Sequence, residues 1–367
     1  MEKNRKQIVV FCLEIIAMTL LYTILDLAGI YKYMVVIASG LALFLWKRKN
    51  IGELKKDGYL LIPVMIYCGI GLCLSVFGGN QTFWTIKTVA FWMIPPLFAL
   101  LLGMAYDSNR SHMVDIQFYG ALLSYLATKG SYILLVGEWE SAFAFVFGLF
   151  AIYYIWRRRW IPAAAAMIGM HFANKRIAVL AVVLCLILML FLKLVKYSEK
   201  WIAALWIMLT TTVGVYLYGI FSGAFAVFCE RFQIDTMTRV DMYAQIVEKA
   251  PGFRWLGQGL GAVNEMLAGM LSAEVFNRWY ENPHNDFLKI YLELGALGLF
   301  LFLASYLIIF YIAGKKGTEK HALSQLFIIV TYFMMLMTTD NVSIYILFLV
   351  PMYSICLALM SENCAGS

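Results

Sequence analysis

The sequence predicts an all-α protein that crosses a membrane about twelve times. Its 367 residues are 62% hydrophobic and only 14% charged, and its mean hydropathy of +0.78 is typical of a chain surrounded largely by lipid. Unbroken apolar runs at residues 8–25, 59–77, 88–105 and 177–192 are close to the roughly 20 residues that cross about 30 Å of hydrocarbon. Such runs predict helices, because the strands of a membrane barrel alternate apolar and polar residues.

The distribution of Lys and Arg predicts the number of spans. Short cytoplasmic loops collect positive charge, and six basic clusters lie at residues 3–6, 47–56, 110, 157–159, 193–200 and 315–320. Each adjacent pair must be separated by two spans, which gives about twelve helices with both termini cytoplasmic. We expect the first span to remain as an anchor. Because these loops account for most of the net charge of +7, no nucleic acid is expected as a partner.

A single polytopic membrane domain, residues 1–367, is predicted, with one long polar interruption at residues 221–286. This loop lies between the ninth and tenth predicted helices, faces outward and is expected to carry part of the active site. Within it, the Thr-Arg-Val-Asp sequence at residues 238–241 resembles a capping box that begins a helix ending near Lys249. An apolar stripe over residues 263–279 predicts a second helix, which either packs on the outer ends of the spans or lies on the membrane surface.

Between these two helices, Gly257-Gln258-Gly259-Leu260-Gly261 superficially resembles a dinucleotide-binding fingerprint. No βαβ unit surrounds it, and nucleotide cofactors are scarce outside the cell, so we interpret it as a flexible turn. The seven cysteines show no zinc-ligand spacing and predict ordinary packing residues. Neither a cofactor nor a metal is therefore expected.

The hairpin at residues 160–192 is short for two full crossings. Its roughly 33 residues give about 50 Å of helix, where two crossings need about 60 Å. The shorter outgoing arm, residues 161–170, should leave Lys175 and Arg176 below the outer surface. Charge within a membrane is costly and indicates a functional site, so Arg176 is expected to have an anionic partner or ligand.

His284 is the best candidate for a proton acceptor. It lies in Asn282-Pro283-His284-Asn285-Asp286, at the end of the loop and directly before a span, where Asn285 and Asp286 could orient its ring. Imidazole is the side chain best suited to general base catalysis near neutral pH. The alternative is that these residues only cap the helix that begins near Asp286.

The outward-facing cations are candidates for holding negative charge, because an Arg guanidinium donates paired hydrogen bonds to a phosphate and stays charged at all relevant pH values. These cations are Lys175, Arg176, Arg231, Arg239, Lys249, Arg254 and Arg278. Lys87, at the outer start of another span, is a weaker candidate of the same kind. For any one of them, the alternative is a solvated residue that pairs weakly with a nearby carboxylate.

Three motifs occur in order along the second half of the chain. Asn174-Lys175-Arg176 precedes an apolar span, Arg239 is followed by Trp255-Leu256-Gly257-Gln258-Gly259, and Pro283-His284-Asn285-Asp286-Phe287-Leu288 is followed by Glu293-Leu294-Gly295-Ala296-Leu297-Gly298. Together they resemble the O-antigen ligase and O-antigen polymerase superfamily of bacterial membrane glycosyltransferases. The resemblance covers residues 170–301 in detail. Lys175 departs from the pattern, because the family has Ser at this position.

This resemblance implies a GT-C-like fold and transfer of a glycan from an undecaprenyl-diphosphate carrier at the outer face of the bacterial cytoplasmic (inner) membrane. The reaction would be inverting and would need neither a nucleotide sugar nor a metal. It further implies catalytic roles for His284, as base or acceptor-positioning residue, and for Arg176 and Arg239, as the residues that hold the diphosphate. The other residues expected to bind or orient substrate are Lys175, Asn285, Asp241, Arg254 and Lys87.

Two questions stay open from the sequence. A polymerase and a ligase share these motifs and differ in the acceptor, which is another lipid-linked repeat unit or lipid A core or a further acceptor. The compact loop favours a polymerase of surface polysaccharide biosynthesis, for which a chain-length regulator protein is a candidate partner beside donor, acceptor and bilayer. A flippase or other transporter of lipid-linked sugars would also use about twelve spans, although here the polar residues gather on the outer side instead of along a central path.

Overall fold

The structure is a computed structural model that describes residues 2–27, 31–47, 52, 56–79, 82–107, 109–136, 140–234, 236, 239–270, 282–316, 318 and 320–361. Within these residues the bounds of fifteen α-helices are defined and there is no β-strand, so the all-α prediction is confirmed. The helices are α1 (Glu2–Leu27), α2 (Tyr31–Lys47), α3 (Ile62–Phe77), α4 (Phe83–Ala105), α5 (Arg110–Val136), α6 (Phe143–Trp156), α7 (Trp160–Phe172), α8 (Arg176–Leu194), α9 (Glu199–Phe221), α10 (Ala224–Arg231), α11 (Arg239–Lys249), α12 (Ala262–Met270), α13 (Asp286–Lys315), α14 (Lys320–Met337) and α15 (Ile346–Ser361).

The long helices account for the predicted polytopic membrane fold. Seven of them, α1, α3 (counted with the 3-10 turn Gly58–Leu61 before it), α4, α8, α9, α13 and α14, are long and apolar enough to cross a membrane by length and composition. Four shorter apolar helices, α2, α6, α7 and α15, lie among them, and the 27-residue α5 packs along α1. Two of these twelve helices separate each adjacent pair of basic clusters, as the spacing of Lys and Arg predicts.

Helices that are apolar on every face lie at the centre of the bundle. All residues of α6 from Phe143 to Tyr154 are buried, and so are all residues of α15 from Ile346 to Leu359. α6 packs against α7, α8, α14 and α15, whereas α1, α2, α8 and α9 expose many large apolar side chains. Exposure of that kind is expected where the surrounding solvent is lipid, since lipid tails are as apolar as the side chains themselves.

The short hairpin predicted at residues 160–192 is present. α7 has 13 residues, which give about 20 Å of helix, less than the roughly 30 Å of a full crossing. Ala173, Asn174 and Lys175 form the turn, and α8 begins at Arg176. This turn lies at the same end of the bundle as the 221–286 loop, and we call this end the loop end.

The 221–286 loop carries short helices, as predicted. The predicted helix from Arg239 to Lys249 is α11, although Thr238 of its proposed capping box lies outside the described residues. Of the apolar stripe, only α12 is described, and residues 271–279 lie outside the described part. The described portion packs against α13 and α4, with Val263 and Leu267 buried, which agrees with the packing interpretation of the stripe.

The glycine-rich stretch of the loop is tightly packed, so the prediction of a flexible turn was wrong. Residues 253–261, here called the glycine segment, lie along α13 and pair with its backbone. Gln258 N donates to Leu292 O at 3.0 Å, and Gly259 N donates to Glu293 O at 2.9 Å. A Cβ atom at Gly257 would clash with the backbone of Glu293. The glycines therefore allow two backbones to approach closely.

α13 is broken at Gly295, where the glycine segment crosses it. Gly295 has φ 79° and ψ −179°, a conformation that is essentially restricted to glycine. The amide groups that lose their helical acceptors at the break find new ones in the glycine segment. Ala296 N donates to Arg254 O at 2.9 Å, and Leu297 N donates to Trp255 O at 3.2 Å. In lipid a backbone group without such a partner would be costly, so helix and glycine segment stabilise each other.

Substitution of Gly295 by Ala should strongly destabilise the protein. The new Cβ would clash with the carbonyl oxygen of Trp255, and the backbone conformation alone costs a residue other than glycine about 1–3 kcal/mol. We expect Gly295→Ala to lower the apparent Tm of the protein in detergent. Gly69→Ala on α3 is the matched control, because a Cβ there meets nothing within 4 Å and Ala favours the helix. Equal melting of the two variants would contradict this explanation of the break.

Candidate active site

Three polar segments meet at the loop end of the bundle. They are the turn between α7 and α8 (residues 173–175), the segment that leads into α13 (residues 282–285) and the turn between α14 and α15 (residues 338–345). The last of these contains a short 3-10 turn, Val342–Ile344. Asp340 lies where the three segments come together, because it contacts side chains from both of the others.

The carboxylate of Asp340 joins these segments. Its Oδ2 lies 3.4 Å from Nζ of Lys175, and its Oδ1 lies 3.6 Å from Nδ1 of His284. Oδ1 also accepts hydrogen bonds from the Tyr345 hydroxyl at 3.0 Å and from the Asn341 amide at 2.8 Å. Since Asp340 is only 1% exposed, protein groups rather than bulk water stabilise its charge. We call Asp340, His284, Lys175 and Tyr345 the Asp340 cluster.

The cluster contains a stable ion pair. Burial alone would raise the pKa of Asp340, but the close contact with His284 and the charge of Lys175 outweigh burial and hold this pKa well below its usual range. Burial likewise disfavours the charged form of Lys175, but Asp340 and Glu140 raise its pKa above the ordinary value. Glu140 Oε1 lies 2.8 Å from Nζ of Lys175. Asp340 and Lys175 are therefore both charged throughout the neutral pH range.

His284 is held from two sides. Its φ is 50°, a left-handed conformation that a residue other than glycine keeps only where its surroundings fix it. The Tyr243 hydroxyl, on α11, donates to His284 O at 3.2 Å. Burial raises the pKa of this phenol to about 12, so it remains a donor. With Nδ1 directed at Asp340, Nε2 lies on the opposite side of the ring, and the imidazole is 30% exposed. This placement allows proton exchange with a substrate while Asp340 fixes the ring.

The structure corrects the prediction about what orients His284. Asn285 was expected to orient the ring or bind substrate, but it is fully buried and caps α13. Its Oδ1 accepts a hydrogen bond from Leu288 N at 3.0 Å, and its amide donates to the Tyr216 hydroxyl at 3.2 Å. The carboxylate that faces the ring is Asp340, from a different part of the chain.

Asp286 fastens the 338–345 turn to the start of α13. Its carboxylate accepts hydrogen bonds from the Ser343 hydroxyl at 2.6 Å and from the Ser343 amide at 2.9 Å. On the other side of the turn, the Tyr216 hydroxyl donates to Thr338 O at 2.9 Å. Asp340 is therefore positioned by hydrogen bonds from both α9 and α13.

The two arginines with predicted catalytic roles differ in their surroundings. Arg239, the first residue of α11, is half-buried, and its charge acts on the phenols of Tyr243 and Tyr345, which contact His284 and Asp340. Arg176 follows Lys175 and begins α8. Its side chain is exposed and forms no ion pair with another described residue, so an anionic partner for it is not found in the described part of the chain. An exposed guanidinium at this position remains suited to an anionic ligand.

The remaining predicted residues lie outside the Asp340 cluster. Arg254 belongs to the glycine segment, and its amide donates to the Tyr291 hydroxyl at 2.9 Å. The α13 residue that pairs with its carbonyl, Ala296, lies about 15 Å along the helix from Asp286. Lys87, on α4, has its Nζ 4.4 Å from the ring centroid of Trp84. Asp241 is exposed on α11. None of Arg254, Lys87 and Asp241 is a described partner of Asp340.

Asp340 and Tyr345 were not among the predicted site residues. A signal for Asp340 exists, because Thr338-Thr339-Asp340-Asn341 is a short polar break between two apolar helices, and the spacing of basic clusters puts this break on the same side as Arg176. An ionisable residue in such a position is a functional candidate. Tyr345 carries no comparable signal, since tyrosines are frequent at the ends of membrane helices.

The fold and the Asp340 cluster together define an integral membrane protein with a histidine, a buried carboxylate and several cations gathered at one end of a helical bundle. A family model described as O-antigen ligase matches residues 126–303, and this match supports a place for the chain in the O-antigen ligase and polymerase superfamily. Members are glycosyltransferase-like enzymes of surface polysaccharide synthesis, which implies a lipid-linked glycan donor and an acceptor in a membrane. The match contains Arg176, Arg239 and His284 but ends before Asp340. No curated protein matches the chain.

Proposed function

We propose that the chain is an inverting glycosyltransferase that polymerises undecaprenyl-diphosphate-linked repeat units at the outer face of the bacterial cytoplasmic membrane. The observation that carries this proposal is the contact of one buried carboxylate, that of Asp340, with both His284 and Lys175. This contact holds an imidazole in a fixed orientation at the loop end, and the charge of Arg239 acts on Tyr243 and Tyr345, which contact His284 and Asp340. The 221–286 loop supplies Arg239, Tyr243 and the segment that ends in His284, and so carries part of the proposed active site.

In the proposed reaction, an acceptor hydroxyl attacks the anomeric carbon from the face opposite the diphosphate. A new bond forms between the acceptor oxygen and the anomeric carbon as the bond from that carbon to the diphosphate oxygen breaks. The leaving diphosphate keeps the electron pair of the broken bond. The hydroxyl proton passes to Nε2 of His284, and the Asp340 carboxylate stabilises the resulting imidazolium. Inversion at the anomeric carbon follows from this single displacement.

The proposed counter-charges for the leaving diphosphate are Arg239 and Arg176. Negative charge grows on the leaving group in the transition state, and fixed cations placed there lower the barrier. Lys175 is already neutralised by Asp340 and Glu140, so we assign it to holding Asp340 in place. Within the described residues no group of three His, Cys, Asp or Glu side chains is placed to hold a metal ion. We assign to the arginines the role that divalent cations have in many enzymes acting on diphosphates, because a guanidinium stays charged and donates paired hydrogen bonds to phosphate oxygens.

Two alternatives remain distinct from this proposal. A ligase would use the same donor and the same cluster but a different acceptor, lipid A core or another molecule. A flippase would move the lipid-linked sugar without breaking a covalent bond. The fixed histidine and carboxylate pair favours a chemical reaction over transport, because such a pair is the usual arrangement for proton transfer.

Purified protein in lipid bilayers should elongate undecaprenyl-diphosphate-linked repeat units when these are the only substrate. The expected product is a ladder of longer lipid-linked glycans, measured by gel electrophoresis or mass spectrometry, with unchanged rate in the presence of a metal chelator. Elongation that appears only after addition of lipid A core would identify a ligase. The absence of any covalent product, together with movement of the substrate across the bilayer, would overturn the enzyme assignment.

A further inference from the structure

A long apolar groove runs between α9 and α13. It encloses a cavity of about 770 Å³. Several of its lining side chains, among them Ile207, Tyr218 and Phe300, are more than half exposed, so the groove opens to the lipid that surrounds the bundle. Most of the side chains that line it are hydrocarbon or aromatic, and its lining also includes the hydroxyl side chains of Thr210, Thr211 and Ser222.

Small residues create this groove. α9 and α13 meet where the indole of Trp206 donates to Leu303 O at 3.2 Å and packs 5.5 Å from the ring of Tyr306. Beyond this contact, towards the loop end, the facing positions include Gly214 and Ala296. A Cβ atom at Gly214 would meet nothing within 4 Å, so the space is not needed for packing between the two helices.

The dimensions of the groove fit a single long hydrocarbon chain. The lining residues extend from Trp206 on α9 to Ser222 just after it, and from Tyr291 to Leu307 on α13, about 24 Å on each side. This is most of the roughly 30 Å thickness of a bilayer core. A sugar would require many more polar side chains, because its hydroxyl groups lose hydrogen bonds to water on burial.

A second cavity lies between the groove and a residue that contacts the Asp340 cluster. Phe221 and Ser222, at the loop end of the groove, also line this second cavity of about 360 Å³, and Tyr243 is another residue that lines it. Tyr243 donates the hydrogen bond to His284 O, and the charge of Arg239 acts on its phenol. A chain lying in the groove would therefore bring a headgroup at its end towards Arg239 and His284.

We propose that this groove binds the polyisoprenoid chain of the glycan donor, and that it is the path by which the donor enters from the bilayer. The proposal rests on the proposed function, since it concerns the donor of that reaction. The groove makes the enzyme sensitive to the length of the donor lipid. A short prenyl chain leaves most of the groove unused, whereas an undecaprenyl chain fills it.

Filling the groove at Gly214 tests the proposal. Gly214→Leu directs a side chain into the groove from a position where the Cβ itself meets nothing within 4 Å. Gly69→Leu on α3 is the matched control, because a Cβ there also meets nothing within 4 Å and Gly69 does not line the groove. With an undecaprenyl-diphosphate donor, we expect Gly214→Leu to raise the KM for the donor about tenfold through lost apolar contacts. With a farnesyl-diphosphate donor that carries the same glycan, the rate should stay near that of the native protein.

Three outcomes would overturn the proposal: an unchanged KM for the undecaprenyl donor, an equal loss with both donors at an unchanged Tm, or equal loss in the Gly69→Leu control. If Gly214→Leu lowers the Tm, Ala304→Leu, which fills the same groove, replaces it.

Photocrosslinking with a photoreactive undecaprenyl phosphate probes binding without turnover. Labelling should map to α9 and α13 and should be outcompeted by undecaprenyl phosphate but not by phosphatidylglycerol. Equal competition by phosphatidylglycerol would identify the groove as a site for bulk lipid. If the native protein transfers no glycan but still labels in this way, the proposed function fails while the groove assignment stands.

Discussion

Replacing Asp340 with Asn should lower the rate of glycan transfer by about a hundredfold or more, the scale seen when the carboxylate that orients a catalytic histidine is removed elsewhere. The amide keeps the shape of the side chain but removes the charge that faces both Lys175 and His284. Among the described residues, the anionic partner that Lys175 then keeps is Glu140, whose side chain is 56% exposed. The imidazole loses the group that fixes its ring and would stabilise its protonated form. Asp340 is a positioning residue in this mechanism, so the loss should appear in kcat more than in the KM for the donor.

Two further variants separate positioning from a general loss of stability. Asp340→Glu retains the charge and should recover part of the rate, although its longer side chain cannot keep all the hydrogen bonds from Tyr345 and Asn341. Glu140→Gln removes the other, exposed partner of Lys175 and should have a small effect, because exposed ion pairs contribute little. A normal kcat in Asp340→Asn, or a fall that simply follows a lower Tm, would contradict the assigned role.

Much of the fold follows from one physical constraint. Backbone groups in lipid must be paired within the chain, so apolar runs of sufficient length become helices, and the basic clusters then fix which helix ends share a side. This reasoning predicted the short hairpin before Arg176 and the helix from Arg239 to Lys249, both of which the structure contains. It could not predict the break at Gly295, because that break depends on hydrogen bonds with residues some forty positions earlier in the chain.

The candidate site was predicted in part, for a related reason. His284, Arg176 and Arg239 lie in motifs that are recognisable locally, and Lys175 is adjacent to one of them. Asp340 lies 56 residues after His284, and the packing of α14 against α13, with the hydrogen bonds of Ser343 to Asp286, brings the two together. The glycine segment is a second case in which a local sequence pattern does not reveal contacts with a distant part of the chain. Its local pattern predicts flexibility, and its close contact with Glu293 in the folded protein removes that flexibility.

Replacing His284 with Ala should lower transfer by about a hundredfold to ten-thousandfold, the range expected for loss of a general base. Asp340 cannot take over this role, because its low pKa makes its carboxylate a weak base and because Lys175 and Tyr345 hold that carboxylate in place. His112 is the matched control. It lies near the start of α5, at the end of the bundle opposite the loop, where its Nε2 is 2.9 Å from Glu14, and His112→Ala should leave the rate of transfer nearly unchanged.

The variant His284→Asn tests whether His284 acts as a general base or only shapes the start of α13. Asn adopts a left-handed backbone more readily than most residues, so it suits the φ of 50° and should preserve the Tyr243 hydrogen bond to the backbone. Asn cannot take up the proton of the acceptor hydroxyl, however. If the reaction requires His284 as a base, His284→Asn should therefore lose as much transfer rate as His284→Ala, at an unchanged Tm. If His284→Asn elongates lipid-linked glycans at the native rate, the proton must leave by another route, and His284 is reduced to a structural residue. Partial recovery of His284→Ala by added imidazole would support the base directly, because free imidazole can occupy the vacated space and accept the same proton.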